Sequence, residues 1–313
     1  MDSMHVLWVG GGSLGMLFAG CCAAGARGRH SLLVRNPRQQ RAIEEEGLEL
    51  IEADGRFTAF LSCVQDAGSV IACDWIALMM KQTHLAEEST MRTIRELSER
   101  FPQANWVCFQ NGIGHHELLG RWIPAERLHL AVTTEAANRI GLRSVHHTGS
   151  GITRVGYVEK SPKSEQKFLV DMLVQAGFKA EMSNNIMESV WKKLLINAVI
   201  NPLTAILRVK NGALLETSDR LEWMRELFLE GLAVARAEGV PVTEDWWEQV
   251  LAVCRDTAEN HSSMLQDVLN GRRTEMEWIN GSLLRLGERH GLALPSHQAV
   301  VRRIRELERS AAN

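Results

Sequence analysis

No uninterrupted apolar run in this sequence approaches the ~20 residues of a membrane-spanning helix. Nor is there a surplus of positive charge. The 35 Lys and Arg stand against 38 Asp and Glu, a formal net charge of −3, which leaves no basic footprint for nucleic acid or anionic lipid. None of the six cysteines (Cys21, Cys22, Cys63, Cys73, Cys108 and Cys254) is spaced as C-x-x-C, and several lie in apolar runs. Buried free thiols in a reducing compartment are expected. The doublets His115-His116 and His146-His147 have no second ligand at metal spacing, so no metal site is expected. No basic leader precedes the first apolar run, and the expectation is a cytoplasmic protein.

What is present is an ordinary soluble composition, 45% apolar and 23% charged, in a chain of 313 residues. That length exceeds one ordinary core and suggests two domains. The pattern changes after Asn184-Asn185, which places them at residues 1–184 and 185–313.

The first half alternates strand and helix patterns. His5 to Val9 is a short apolar run ending in Gly10-Gly11-Gly12-Ser13-Leu14-Gly15, and Met16 to Ala24 reads as helix. Gly10, Gly12 and Gly15 stand in the G-x-G-x-x-G register. The first allows a tight turn, the second lets a pyrophosphate approach the backbone, and the third lets helix pack on strand. The free N–H groups of the helix start then face the phosphates. Gly11 occupies a variable position of that register, where an extra glycine is expected to be harmless. The next strand, Ser31 to Val34, ends at Arg35, about 20 residues on, where an acidic residue would hold the ribose hydroxyls of NAD. A guanidinium there suits the 2′-phosphate of NADP and leaves nothing to accept the 2′-hydroxyl bond of NAD; otherwise Arg35 is a solvated surface residue.

Glu49 to Glu52 and Phe57 to Cys63 read as a hairpin around Asp54-Gly55. Asp74 to Met80 and Trp106 to Phe109 read as buried parallel strands ending at Lys81-Gln82-Thr83 and Gln110-Asn111-Gly112, and Leu128 to Thr134 as a further strand. Ligands of open α/β sheets bind outside the carboxyl ends of the strands, so Lys81 and Asn111 are site candidates, or else a snorkelling lysine and a turn asparagine. Arg143 to His147 and Thr153 to Tyr157 look like a hairpin turning through Thr148-Gly149-Ser150-Gly151. A helix from about Ser164 to Ala176 and a strand near Phe178 to Met182 would close the domain. The fold class expected is α/β, with a Rossmann-like doubly wound parallel sheet followed by an all-helical domain.

In the second half Ile186 to Leu207, Arg220 to Glu238, Thr243 to Glu259, Thr274 to His290 and Ser296 to Arg309 carry helical periodicity. Within the first of these, Lys193, Asn197 and Asn201 recur every four residues among Leu194, Leu195, Ile196, Val199 and Ile200. That spacing stacks one ammonium and two amides on one face of an apolar helix. They are either a ligand-binding row or a surface lysine with two structural amides. Pro202 follows directly and cannot donate a helical bond, so a kink or loosening is expected beside the row. Asn260 to Asp267 is a polar joint between helices, and Glu275, read alone, is a first-turn acid complementing a helix dipole.

Taken together, the residues resemble the ketopantoate reductase (2-dehydropantoate 2-reductase) family. The markers are Gly10-x-Gly12-x-x-Gly15, Lys81-x-Thr83, Gln110-Asn111-Gly112, His147-Thr148-Gly149, and Trp191-x-Lys193-Leu194-x-x-Asn197-x-x-x-Asn201-Pro202-Leu203-Thr204-Ala205. Ser262-Ser263-Met264-x-Gln266-Asp267 and Thr274-Glu275 with Ile279-Asn280-Gly281 complete the set. The resemblance implies NADPH-dependent reduction of a small 2-oxo acid, 2-dehydropantoate, to (R)-pantoate in pantothenate synthesis. It implies Lys193 as general acid and Glu275 as a carboxylate of the closed site near the cofactor. Asn111, Lys193, Asn197, Asn201, Asn211 and Ser263 would contact substrate. Gly10, Gly11, Gly12, Ser13, Leu14, Gly15, Arg35, Lys81, Asn111, Ala137 and Glu275 would contact NADP(H). The resemblance also leaves open a paralogue acting on another small 2-oxo acid, and a non-catalytic NADP sensor. A homodimer through the helical half stays open, and neither nucleic acid nor membrane is expected as a partner.

Overall fold

The computed structural model of the chain describes residues 4–157, 163–243 and 245–312. It divides into two compact units, Met1–Gln110 with His115–Ile186, and Asn111–Gly114 with Met187–Asn313.

In the first unit the strands are β1 (His5–Val9), β2 (Arg29–Leu33), β3 (Leu48–Glu52), β4 (Gly55–Ala59), β5 (Ser62–Val64), β6 (Trp75–Leu78), β7 (Asn105–Cys108), β8 (Leu128–Thr133), β9 (Ala136–Arg139), β10 (Ser144–Gly149), β11 (Ile152–Tyr157) and β12 (Lys179–Met182). Between them run α1 (Ser13–Gly25), α2 (Pro37–Glu46), α3 (Gln82–Leu85), α4 (Glu88–Arg100), α5 (His115–Leu119) and α6 (Lys163–Gln175).

Eight strands form one sheet in the order β12-β11-β8-β7-β6-β1-β2-β5, parallel throughout except where β11 meets β8. Its central strands β1, β6 and β7 are almost wholly buried, which is why they read as continuous apolar runs. The remaining strands form a second sheet, β4-β3-β10-β9. Helix α1 is apolar on every side because it touches both sheets, β2 of the large one and β3, β4, β9 and β10 of the small one. Phe18 on α1 stacks on Phe178 at 4.3 Å between centroids, within a core that includes Trp8, Leu17 and Trp75.

Two expectations are corrected. Arg143–His147 and Thr153–Tyr157 are not a hairpin: β10 pairs with β9 and β3 in the small sheet, while β11 pairs with β8 and β12 in the large one. Phe57–Cys63 is likewise split. The hairpin partner of β3 ends at Ala59, and Ser62–Val64 crosses to pair with β2. Strand β9 was not expected at all.

The second unit is helical: α7 (Ile186–Leu207, of which Ile186 belongs to the first unit), α8 (Ser218–Ala237), α9 (Trp246–Asp256), α10 (Ser263–Leu269), α11 (Asn280–Arg289) and α12 (Pro295–Ala312). Where a single helix from Thr274 was expected, a 3-10 turn at Met276–Trp278 is separated from α11 by Ile279 at φ −99, ψ −88. Among the described residues, α7 alone is long and apolar enough to cross a membrane, but most of it is buried inside the protein, as befits a core helix. All six cysteines are unpaired, and five are buried.

Pro202 lies inside α7 and leaves the carbonyl of Ala198 without its helical donor. Asn280, fully buried, supplies one: its Nδ2 donates to Ala198 O at 2.8 Å and also lies 3.0 Å from His297 Nδ1. His297 Nε2 then donates to Leu227 O at 3.0 Å, and burial pushes its pKa down to about 4, so the ring is neutral and fills both roles. The chain of bonds joins α7, α11, α12 and α8. Replacing Asn280 by Ala orphans the Ala198 carbonyl and His297 Nδ1, and unfolding in urea should show a loss of about 1–3 kcal/mol. In a Pro202→Ala background, where an N–H returns, the same replacement should cost measurably less.

Candidate active site

The first group of candidate residues lies at the carboxyl ends of β6, β1 and β2, which are neighbours in the sheet. The turn after β1 is built to close tolerances. A side-chain carbon on Gly15 would lie 1.9 Å from the Gly10 carbonyl oxygen, so α1 can start here only with glycine. Gly11, expected to be harmless, fits closely: a Cβ there would fall 2.6 Å from Gln39 Oε1 and Val34 Cγ1, so those side chains would have to shift, while Gln39 Nε2 donates to Gly11 O at 2.9 Å. The missing signal was Gln39, a polar residue buried on α2 to hold this turn. Gly12 faces open space, and no side chain caps the start of α1, so its first N–H groups stay available.

Arg35 stands just before the cap of α2, where Asn36 Oδ1 accepts from Arg38 N at 2.9 Å and Pro37 opens the helix. Its guanidinium donates to Glu87 and lies 3.0 Å from His84 Nδ1. Lys81 caps α3 through its backbone, its carbonyl accepting from His84 N at 3.0 Å. Gln110 ties the neighbouring strand ends together, its Nε2 donating to Leu78 O at 2.9 Å and Met80 O at 3.0 Å. Ala137 sits on β9 opposite His147. Two residues beyond it Arg139, which sequence reasoning passed over, donates to Gly11 O at 3.1 Å, and its backbone N–H reaches Ser13 Oγ at 3.0 Å. A lone guanidinium ending the Glu135–Arg139 run was the only hint.

The second group is carried by the helical unit. Lys193 keeps partial solvent contact, yet burial of its ammonium is the largest influence on its pKa, lowering it to about 8, while the Glu275 carboxylate acts in the opposite direction. Glu275 is itself buried and accepts from Asn111 Nδ2 at 3.2 Å. It is not the first-turn acid of a helix: it precedes the 3-10 turn, and the neighbouring Thr274 is anchored through N and Oγ1 to Glu308 Oε1 at 2.8 and 2.7 Å. Asn197 is partly exposed and Asn201 buried, one and two turns along α7 from Lys193.

Thr204 Oγ1, one turn further, donates to Ser262 Oγ at 2.7 Å, and Ser262 caps α10 by accepting from Leu265 N at 3.1 Å. That pair fixes the start of α10 against α7 and leaves Ser263 exposed as its first residue. Asn211 opens a 3-10 turn; its Nδ2 donates to Thr257 Oγ1 at 2.8 Å, and its buried Oδ1 has no partner among the described residues. Lys193, Glu275 and Asn111 are thus brought together, while Asn211 lies on a separate turn.

Known proteins resemble this chain along nearly its whole length. The family profile described as "Ketopantoate reductase PanE/ApbA" matches residues 6–160, and "Ketopantoate reductase PanE/ApbA C terminal" matches residues 185–308. A protein of Halobacterium salinarum named 2-dehydropantoate 2-reductase is 31% identical over 309 residues, 98% of this chain and 99% of that one. The chain belongs to the ketopantoate reductase family. A Bacillus subtilis protein of the same name is 32% identical over 309 residues, covering 98% of each chain. Among solved structures, the ternary structure of D-mandelate dehydrogenase with NADH and anilino(oxo)acetate superposes with a TM-score of 0.90 at 26% identity, covering 99% of this chain and 100% of that one.

The ammonium of Lys193 should titrate near 8 rather than above 10, as read by NMR of the protein after reductive 13C-methylation. Since Glu275 raises that value, Glu275→Gln should move the midpoint further down.

Proposed function

We propose that this protein reduces 2-dehydropantoate to (R)-pantoate with NADPH. The observation that carries the reading is the enclosed ammonium of Lys193, paired electrostatically with Glu275 and placed on the same helix face as two amides. The family match supports the same reading, and so does, within the first unit, a glycine turn with open space at Gly12 and an uncapped helix start, which suits the pyrophosphate of a dinucleotide. Arg139 and Arg35 add guanidinium groups on that side of the fold.

When bound, NADPH supplies the hydride that reduces the ketone carbon. The chain's own residues supply the rest. Lys193 donates a proton to the carbonyl oxygen as negative charge develops there, and leaves as the neutral amine, to be reprotonated from water. A pKa near 8 suits the task, because the proton is held at neutral pH yet is given up readily. Glu275 keeps the ammonium charged despite burial, and Asn111 steadies Glu275 by donating to it. Asn197 and Asn201 orient the oxygens of the 2-oxo acid, a contribution of geometry. Ser263 meets its carboxylate, and Asn211, with its unpartnered Oδ1, accepts a hydroxyl donor.

The structural likeness to D-mandelate dehydrogenase favours one second reading, a paralogue reducing another 2-oxo acid. NADPH oxidation followed at 340 nm with 2-dehydropantoate, an unbranched 2-oxo acid and an aryl 2-oxo acid separates the two. The first substrate should show the highest kcat/KM; a clear preference for another would transfer the assignment. Lys193→Ala should lower kcat by about 10²–10⁴-fold while NADPH still binds. Because the acid must be protonated, kcat should be level below neutrality and fall as pH rises through about 8.

A further inference from the structure

Arg35 lies where a 2′-phosphate would be read, but its guanidinium is already engaged. It donates through Nη1 to Glu87 Oε2, and His84 Nδ1 lies 3.0 Å from its Nη2 and 2.7 Å from Glu87 Oε1. A single ring nitrogen cannot accept from Arg35 and donate to Glu87 at once; the carboxylate is the stronger partner and takes the ring N–H. Glu87 is the residue before α4, where the helix dipole also favours negative charge. The hydrogen bond from His84 and the Arg35 guanidinium hold its carboxyl below the usual carboxylate range, so it is ionised at neutral pH.

The consequence follows from sheet order. β2 and β6 flank β1, so the segment after β6 brings Glu87 to Arg35, two residues past the end of β2 and 52 positions away in sequence. The rule that reads cofactor choice from the end of β2 finds an arginine and no acceptor. The structure supplies the acceptor from the segment after β6, on the far side of β1. A dianionic 2′-phosphate must displace Glu87 from Arg35 and then stand beside its charge, whereas a 2′-hydroxyl can donate to the same carboxylate.

We infer that Glu87, seated by His84, is a cofactor-specificity residue that weakens the preference for NADPH and admits NADH at the same site. This rests on Arg35 being the 2′-phosphate ligand, so the test probes the two separately. Binding of 2′,5′-ADP and of 5′-AMP to the full-length protein is measured by calorimetry for the wild type, Glu87→Gln, Glu87→Asp and Arg35→Ala. Glu87→Gln should raise the ratio of affinities for 2′,5′-ADP over 5′-AMP by about 3–10-fold. Glu87→Asp, which keeps the charge, should stay near the wild-type ratio, and Arg35→Ala should bring the ratio close to one. An unchanged or lowered ratio in Glu87→Gln, with Arg35→Ala behaving as stated, overturns the role of Glu87 alone. A ratio untouched by Arg35→Ala removes Arg35 as phosphate ligand, and this inference with it. A loss of fold in Glu87→Gln would weaken both ligands together and leave the ratio where it was, which also counts against it.

Discussion

The helical unit depends on one carbonyl that its own helix cannot satisfy. Pro202 withholds the N–H that would bond Ala198 O, and a buried carbonyl without a donor is destabilising by about 1–3 kcal/mol. Asn280 removes that penalty from another helix, and in doing so ties α7 to α11, to His297 on α12 and through it to the backbone of α8. The helix that carries Lys193, Asn197 and Asn201 is therefore gripped from outside at the turn where its internal bonding fails. Thr204 adds a second grip by holding the cap of α10. A polar row needs such support. Apolar packing is non-directional, whereas the bonds on both sides of Asn201 are directional and fix the rotation of the row.

The electrostatics of the row are a balance between opposed effects. Burial alone drives a lysine toward the neutral amine, which cannot act as an acid; an adjacent carboxylate alone would hold the proton too firmly. Lys193 has both influences, and the result is a pKa near 8. Glu275 can exert its effect only if its own position is fixed, and the contacts around it do that. Asn111 donates to it directly, and the neighbouring Thr274 is anchored by Glu308 from α12. The carboxylate thus belongs to a scaffold continuous with the bonds that hold α7, since α12 also carries His297.

Much of this was legible in the sequence, and what was legible was local. The strand, glycine turn and helix at the start, the buried parallel strands and the four-residue spacing of Lys193, Asn197 and Asn201 are all fixed by neighbours within two or three turns of chain. What was illegible depends on pairing across the fold. β10 and β11 each look like half of a hairpin, because nothing within the sequence of either says that one joins the small sheet and the other the large. The close approach at Gly11 was not foreseen because it comes from the side chain of Gln39, on another helix. Asn280 is the instructive case. Pro202 inside an apolar helix announces an orphaned carbonyl four residues earlier, and a fully buried amide elsewhere is the natural donor. The sequence therefore poses the question without naming the residue that answers it.

Arg35 carries the same argument to the cofactor. A motif rule assigns specificity to one strand end because in a βαβ unit that end is local to the glycine turn. Yet in a doubly wound sheet the turn after β1 has a strand on each side, and only β2 is near it in sequence. The other neighbour, β6, arrives only after β3 and β4 of the small sheet and β5 at the edge of the large one, and the segment that follows it is free to place any charge beside Arg35. Here it places a carboxylate with a histidine to steady it. Charge at the end of β2 is thus half of a pair, and what the site prefers is set by the difference between the two halves. Reading the arginine alone overstates the preference for phosphate by whatever Glu87 takes away.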